Sequence, residues 1–116
     1  MRIRKTWKAF DKGRDVSLVF ACASGKKTQG KFVVGVHPSE AEHLMIVFDD
    51  SAGFHRDLAL RYRLRARGGG WLEWNATRKC IRLSGRSQAY GREPDRELTR
   101  RVLQTAFPDF SCTCES

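Results

Sequence analysis

The side chains best able to do chemistry here are three histidines, four cysteines and a serine in a small-residue loop. His55 falls where a helix is expected to start. With an unperturbed pKa of roughly 6.5, it is mostly neutral at physiological pH. A neutral imidazole can take a proton from water or attack phosphorus directly. A histidine at a helix start can equally be satisfied by a backbone group, and residue type alone does not choose between these. His37 and His43 have no comparable setting and read as structural. Asp57 lies two residues from His55; positions two apart on a helix do not face each other, so no His–Asp dyad is expected. Asp57 instead supports the first turn through the helix dipole.

The stretch Ser87-Gln88-Ala89-Tyr90-Gly91 is rich in small residues. Such a loop after a strand can turn successive backbone N–H groups toward an anion, and Ser87, Ala89 and Gly91 would permit close approach. The same composition also suits an ordinary strand-to-helix connection. Cys22, Cys80, Cys112 and Cys114 lack the spacing of a zinc site or of a small disulfide scaffold. Cys112 and Cys114, two apart in a strand, would point to one face, and all four read as buried or half-buried thiols.

The elements that must position these residues follow from patterning. The first 14 residues, with Arg2, Arg4, Lys5, Lys8, Lys12 and Arg14, read as a basic, irregular segment. Val16–Ala23, Lys31–His37 and Leu44–Phe48 are apolar and β-branched, hence strands, with a turn at Gly25-Lys26-Lys27-Thr28. A helix follows, capped by Asp50 or Ser51. Its inward stripe is Phe54, Leu58 and Tyr62, with Arg56, Arg63 and Arg67 facing solvent. Gly68-Gly69-Gly70 should stop it. Trp71–Asn75 and Lys79–Arg86 alternate as a hairpin. Pro94 suits the first turn of a second helix. Leu98, Val102 and Ala106 form its buried stripe, with Arg96, Arg100 and Arg101 largely outside. Pro108 ends it, and Phe110–Cys114 reads as a last strand. The order β-β-β-α-β-β-α-β implies an α+β fold, a single mixed β-sheet of about six strands flanked by two helices.

The chain has 116 residues, enough for one core and one domain spanning 1–116. Its 41% hydrophobic content excludes a disordered chain, and no apolar run could span a bilayer. No signal-peptide pattern follows the basic start. A cytoplasmic protein without a membrane role, acting as a monomer, is therefore expected. The net charge of +9 favours anionic partners: nucleic acid, acidic proteins or phosphorylated substrates.

From Ile46 onward the chain resembles the Janus/Ocnus family, whose best-known member is a phosphohistidine phosphatase. Four pieces carry the resemblance. Phe54-His55-Arg56-Asp57-Leu58 is similar to the family's aromatic-His-x-Asp-Ile segment. Gly68-Gly69-Gly70 is similar to its triple glycine. Ser87–Gly91 resembles its Ser-x-Ala-Tyr-Gly loop, and Phe107-Pro108-Asp109-Phe110 its aromatic-Pro-Asp-aromatic break. Their shared order matters more than any single piece.

The resemblance implies hydrolysis of the phosphoramidate bond of phosphohistidine in proteins, without metal or cofactor. By position it makes His55 the catalytic residue, as general base or nucleophile. It makes Ser87, Gln88 and Ala89 the phosphate-binding loop and Lys31 the substrate-binding lysine. The family often has an arginine after the triple glycine, where this chain has Trp71. Arg86, Arg78 or Lys31 could supply the missing cation; otherwise the substrate differs, or catalysis is impaired. Such chemistry asks a protein for a held phosphate, a positioned nucleophile and neutralised charge. The competing expectation is a non-enzymatic binder of nucleic acid or acidic proteins. It rests on the net charge, on Arg61, Arg63, Arg65 and Arg67 around Tyr62, and on Trp71 and Trp74 as stacking rings.

Overall fold

The computed structural model describes residues 3–11, 13–23 and 26–115, without the side chains at 11 and 40–42. Chain order is β1 (Ile3–Asp11), β2 (Arg14–Cys22), β3 (Lys27–His37), β4 (Glu40–Asp49), α1 (His55–Arg61), β5 (Arg65–Asn75), β6 (Cys80–Ser84), α2 (Arg96–Ala106) and β7 (Ser111–Cys114). The strands form one seven-stranded sheet in the order β1-β2-β4-β3-β5-β6-β7. β2/β4 and β6/β7 pair in parallel, and the other neighbours are antiparallel. The fold is thus α+β with a mixed sheet and two helices, as expected, but with one more strand.

That strand is β1, in the segment read as irregular. It pairs with β2 along its whole length. Ile3 and Trp7 pack against the core. Lys5 interrupts their alternation, which hides the strand in the sequence; its ammonium lies 5.0 Å from the Phe107 ring centroid. Arg2 and Lys12 lie outside the described residues, as does Gly25 of the expected turn, while Lys27 and Thr28 already belong to β3.

Because side chains alternate across a strand, the sheet has two cores. Leu18, Phe20, Phe32, Val34, Ile46, Phe48, Leu72, Trp74, Ile81 and Leu83 meet Leu98, Val102, Leu103 and Ala106 of α2. Val19, Val33 and Val47 meet Leu58 of α1 on the other face. Phe20, Trp74, Phe107 and Phe110 form an aromatic cluster with centroids 4.2 to 5.8 Å apart. Each such large buried side chain contributes roughly 1.5–3 kcal/mol of transfer free energy.

Six local expectations are corrected. Asp50 and Ser51 do not cap α1. Asp50 accepts from the Ala23 N–H and the Thr28 hydroxyl, and Ser51 donates to Asp49. The N-cap is Phe54, without a side-chain bond. Of the expected stripe, Leu58 is buried and Tyr62 packs beside it, while Phe54 points outward. Arg56, Arg63 and Arg67 are exposed as expected, but Arg63 leaves α1 in a left-handed turn at φ 55° and Arg67 lies in β5. Gly68–Gly70 does not stop α1; it lies inside β5. Pro94 precedes α2, which starts at Arg96 after the Asp95 cap accepts from the Leu98 N–H. Arg96 is buried rather than solvent-facing. Pro108 does follow the end of α2, and the β5–β6 hairpin forms.

Candidate functional site

The glycine run is the base of the site. In β5, Gly69 turns toward α1 and Gly70 toward α2. A Cβ on Gly69 would stand 2.2 Å from the Phe32 carbonyl oxygen and 3.1 Å from Cδ2 of His55. A Cβ on Gly70 would stand 2.6 Å from the Ser84 oxygen and 2.7 Å from a guanidinium nitrogen of Arg96. The missing side chains let one residue from each helix reach the strand backbone.

His55, the first residue of α1, takes that approach. Only 8% exposed, it bonds the Gly70 carbonyl oxygen through Nε2 at 2.8 Å. A carbonyl only accepts, so Nε2 carries the hydrogen and Nδ1 the free lone pair. Burial pushes the His55 pKa below 6.5; the Gly70 bond opposes this, and the Lys31 charge adds to the lowering. The ring is therefore neutral at physiological pH, with Nδ1 as the basic nitrogen.

Lys31 comes from β3, opposite Trp71 of β5. Its ammonium donates to the Gly53 carbonyl at 2.8 Å. It also lies 5.6 Å from the ring centroids of both Phe54 and Trp71. Each contact is a cation–π attraction of about 0.5–1 kcal/mol where exposed. Trp71, which supplies no charge, thus holds the charge of its cross-strand neighbour.

The Ser87–Gly91 loop closes on itself. Ser87 and Gly91 exchange backbone bonds at 3.2 and 2.9 Å. Ser87 Oγ accepts from the N–H groups of Ala89 and Tyr90 at 3.2 and 3.1 Å. The Gly69 N–H holds the Gly91 carbonyl at 3.0 Å. The turn aims the successive Ala89 and Tyr90 amides at one acceptor, Ser87 Oγ.

These parts border one cleft of about 530 Å³, lined by Lys31, His55, Arg86, Ser87, Gln88 and Ala89. His55, Lys31, Arg86 and the Ser87–Ala89 loop, selected from the sequence, all lie there. Phe54, Arg56, Gly70, Trp71 and Gly85 complete the wall. Of the three cations considered as substitutes for the family arginine, Lys31 and Arg86 are present. Arg78 is not: it lies in the β5–β6 turn beside a different cleft with Lys27, Glu73 and Arg82. Among the described residues, no three His, Cys, Asp or Glu side chains converge as metal ligands. His43 bonds the Ser17 hydroxyl and His37 that of Ser39, away from the cleft.

The features offered for base stacking separate. Trp74 is 4% exposed, inside the aromatic cluster, and has no face for a base. Arg61 pairs with the buried Asp49 at 3.1 Å, while Arg65 and Arg67 project from β5. The four cysteines form no disulfide with one another; Cys22 and Cys112 are buried and Cys80 and Cys114 partly so.

A mixed sheet carrying a helix-start histidine over a glycine strand, beside a serine loop, is the class of domain defined here. The family model described as Janus/Ocnus family (Ocnus) matches residues 13–111, and the chain belongs to that family. It is 34% identical over 65 residues to the sex-regulated protein janus-A of Drosophila yakuba, covering 56% of this chain and 46% of that protein. Its likeness to janus-A of Drosophila melanogaster is 36% over 52 residues, covering 45% of this chain and 38% of the fly protein. The matches thus span less than half the length of these relatives. No helix among the described residues is long and apolar enough to cross a membrane.

Proposed function

We propose that the protein is a phosphatase hydrolysing the phosphoramidate bond of phosphohistidine in proteins. The observation that carries the reading is the tautomer of His55: Nε2 is committed to Gly70, leaving Nδ1 basic in a cleft shared with the Ser87–Ala89 loop.

In this reading the loop amides and Ser87 receive the phosphoryl oxygens, and Lys31 and Arg86 offset their charge. Charge spread over the phosphoryl oxygens in the transition state is what such fixed donors stabilise. Nδ1 of His55 either removes a proton from the attacking water or attacks phosphorus itself. In the second route the P–N bond to the substrate imidazole breaks as a P–N bond to His55 forms, and water then cleaves that new bond. The Gly70 bond also shares the positive charge that the ring gains in either route. The basic surface suits a phosphorylated protein substrate.

The test is release of phosphate from a phosphohistidine peptide and from phosphoramidate, with and without chelator. Chelator-resistant release that disappears in His55→Ala supports the reading. Full activity in His55→Ala would overturn the site. Trapping labelled phosphate on His55 in acid-free quench separates the nucleophile from the general base.

One observation favours a second reading, a family member with impaired catalysis: Trp71 stands where an arginine is expected. Phosphate binding at the Ser87–Ala89 loop without turnover would select it.

A further inference from the structure

Arg96 has no part in the chemistry above, yet it is buried and bonded on several sides through Nε and Nη2, while Nη1 is buried without a hydrogen-bond partner among the described residues. Its side chain is 2% exposed and that of Glu93 is 1% exposed. Nε donates to both Glu93 oxygens at 3.0 Å, and Nη2 to Oε1 at 2.7 Å. Thr99 donates to the same carboxylate at 2.9 Å, and the guanidinium lies 5.2 Å from the Phe32 ring centroid. Two further bonds leave this cluster. Nη2 donates to the Gly69 carbonyl at 3.2 Å and to the Gly85 carbonyl at 2.8 Å.

A buried ion pair is a poor device for stability alone, because desolvating two charges offsets most of their attraction, and well-packed apolar residues often do as well. What apolar residues cannot do is aim hydrogen bonds. Those of Arg96 reach two places that matter to the cleft. Gly85 opens the 85–91 loop segment, and Gly69 holds its far end through Gly91. The next carbonyl along, that of Gly70, receives His55. The loop and the histidine therefore share one anchor strand, and Arg96 ties the loop's entrance to it.

We propose that Arg96, locked by Glu93, is a positioning residue that sets the separation between His55 and the Ser87–Ala89 loop. This rests on the phosphatase reading. Arg96 touches neither substrate nor reacting atoms. It governs where a loop-held phosphorus stands relative to Nδ1. Small displacements of that kind slow the chemical step more than they weaken anion binding.

The test uses the full chain. Arg96→Met alone would strand a buried carboxylate, so the main variant is Arg96→Met with Glu93→Met; Thr99 keeps the Asp95 carbonyl at 3.5 Å as an acceptor. Expected is a folded protein whose kcat on a phosphohistidine peptide falls roughly 10- to 100-fold, while inhibition by inorganic phosphate changes by less than about threefold. NMR signals of the Gln88 and Ala89 amides shift, and those of the far-edge β1 do not. If the double variant does not fold, Arg96→Lys replaces it: lysine pairs with Glu93 but cannot span two carbonyls, and the same split is expected. A folded variant with wild-type kcat and unshifted loop amides overturns the proposal. Absence of activity in the unaltered protein would instead remove the phosphatase reading. The amide shifts then decide on the clamp alone, shifted signals supporting it and unshifted ones overturning it.

Discussion

The 2.8 Å bond between His55 Nε2 and the Gly70 carbonyl decides which nitrogen of the ring is basic. It follows that losing the ring's chemistry and losing its bond to Gly70 should be separable. His55→Ala should lower phosphoramidate hydrolysis by roughly 10²–10⁴-fold, the range for a general acid–base group. His55→Gln, which can still reach Gly70, should restore stability but not rate. Steady-state kinetics and thermal melting of both variants check this.

The lowered His55 pKa gives a pH dependence of definite sign. The proposed hydrolysis uses the neutral ring, so the acidic limb of kcat/KM should lie below pH 6.5 and the rate should be level through neutrality. Stability follows the same group. The unfolded chain binds the proton first as pH falls, so the His55 contribution is present above about 6.5 and is lost as pH drops toward the folded pKa. Denaturant unfolding across pH 5–8 should show this slope, and His55→Gln should reduce it.

Trp71 holds Lys31 rather than supplying a charge. Trp71→Leu should loosen the ammonium and weaken inhibition by inorganic phosphate by about two- to fivefold, the scale of one cation–π contact. Trp71→Arg places a guanidinium at the cleft and should tighten phosphate binding by about tenfold, the scale of one charge-assisted bond. Unchanged inhibition in both variants would show that Trp71 has no bearing on the anion.

The glycines separate into tight and open positions. Gly69→Ala must displace the Phe32 backbone and should cost more than about 3 kcal/mol or prevent folding. Gly53→Ala meets nothing within 4 Å and should stay within about 0.5 kcal/mol of the parent. Chemical denaturation of the two proteins makes the comparison.

Burial pushes the Cys112 thiol up to about 12. At pH 8 it is protonated, so alkylating reagents should label neither it nor the buried Cys22 until the protein unfolds. Mass spectrometry of labelled native and denatured protein reads this out.

Local pattern was enough for much of the site. Apolar, β-branched runs placed β2, β3 and β4, alternation placed the β5–β6 hairpin, and the small-residue loop after β6 announced itself by composition. His55 was legible only because neighbouring pieces fell in family order. Its bond to Gly70 spans 15 residues and has no local signal. What tertiary structure alone decided is clearest at the glycines and arginines. Gly68–Gly70 looks like a helix stop because glycine breaks helices, yet its use here is close approach by His55 and Arg96, which come from elsewhere in the chain. Glu93/Arg96 and Glu97/Arg100 share the same i,i+3 spacing, but one pair is buried and the other lies toward solvent. Charge and spacing are properties of the chain. Burial and the direction of a hydrogen bond depend on which distant backbone is packed against them.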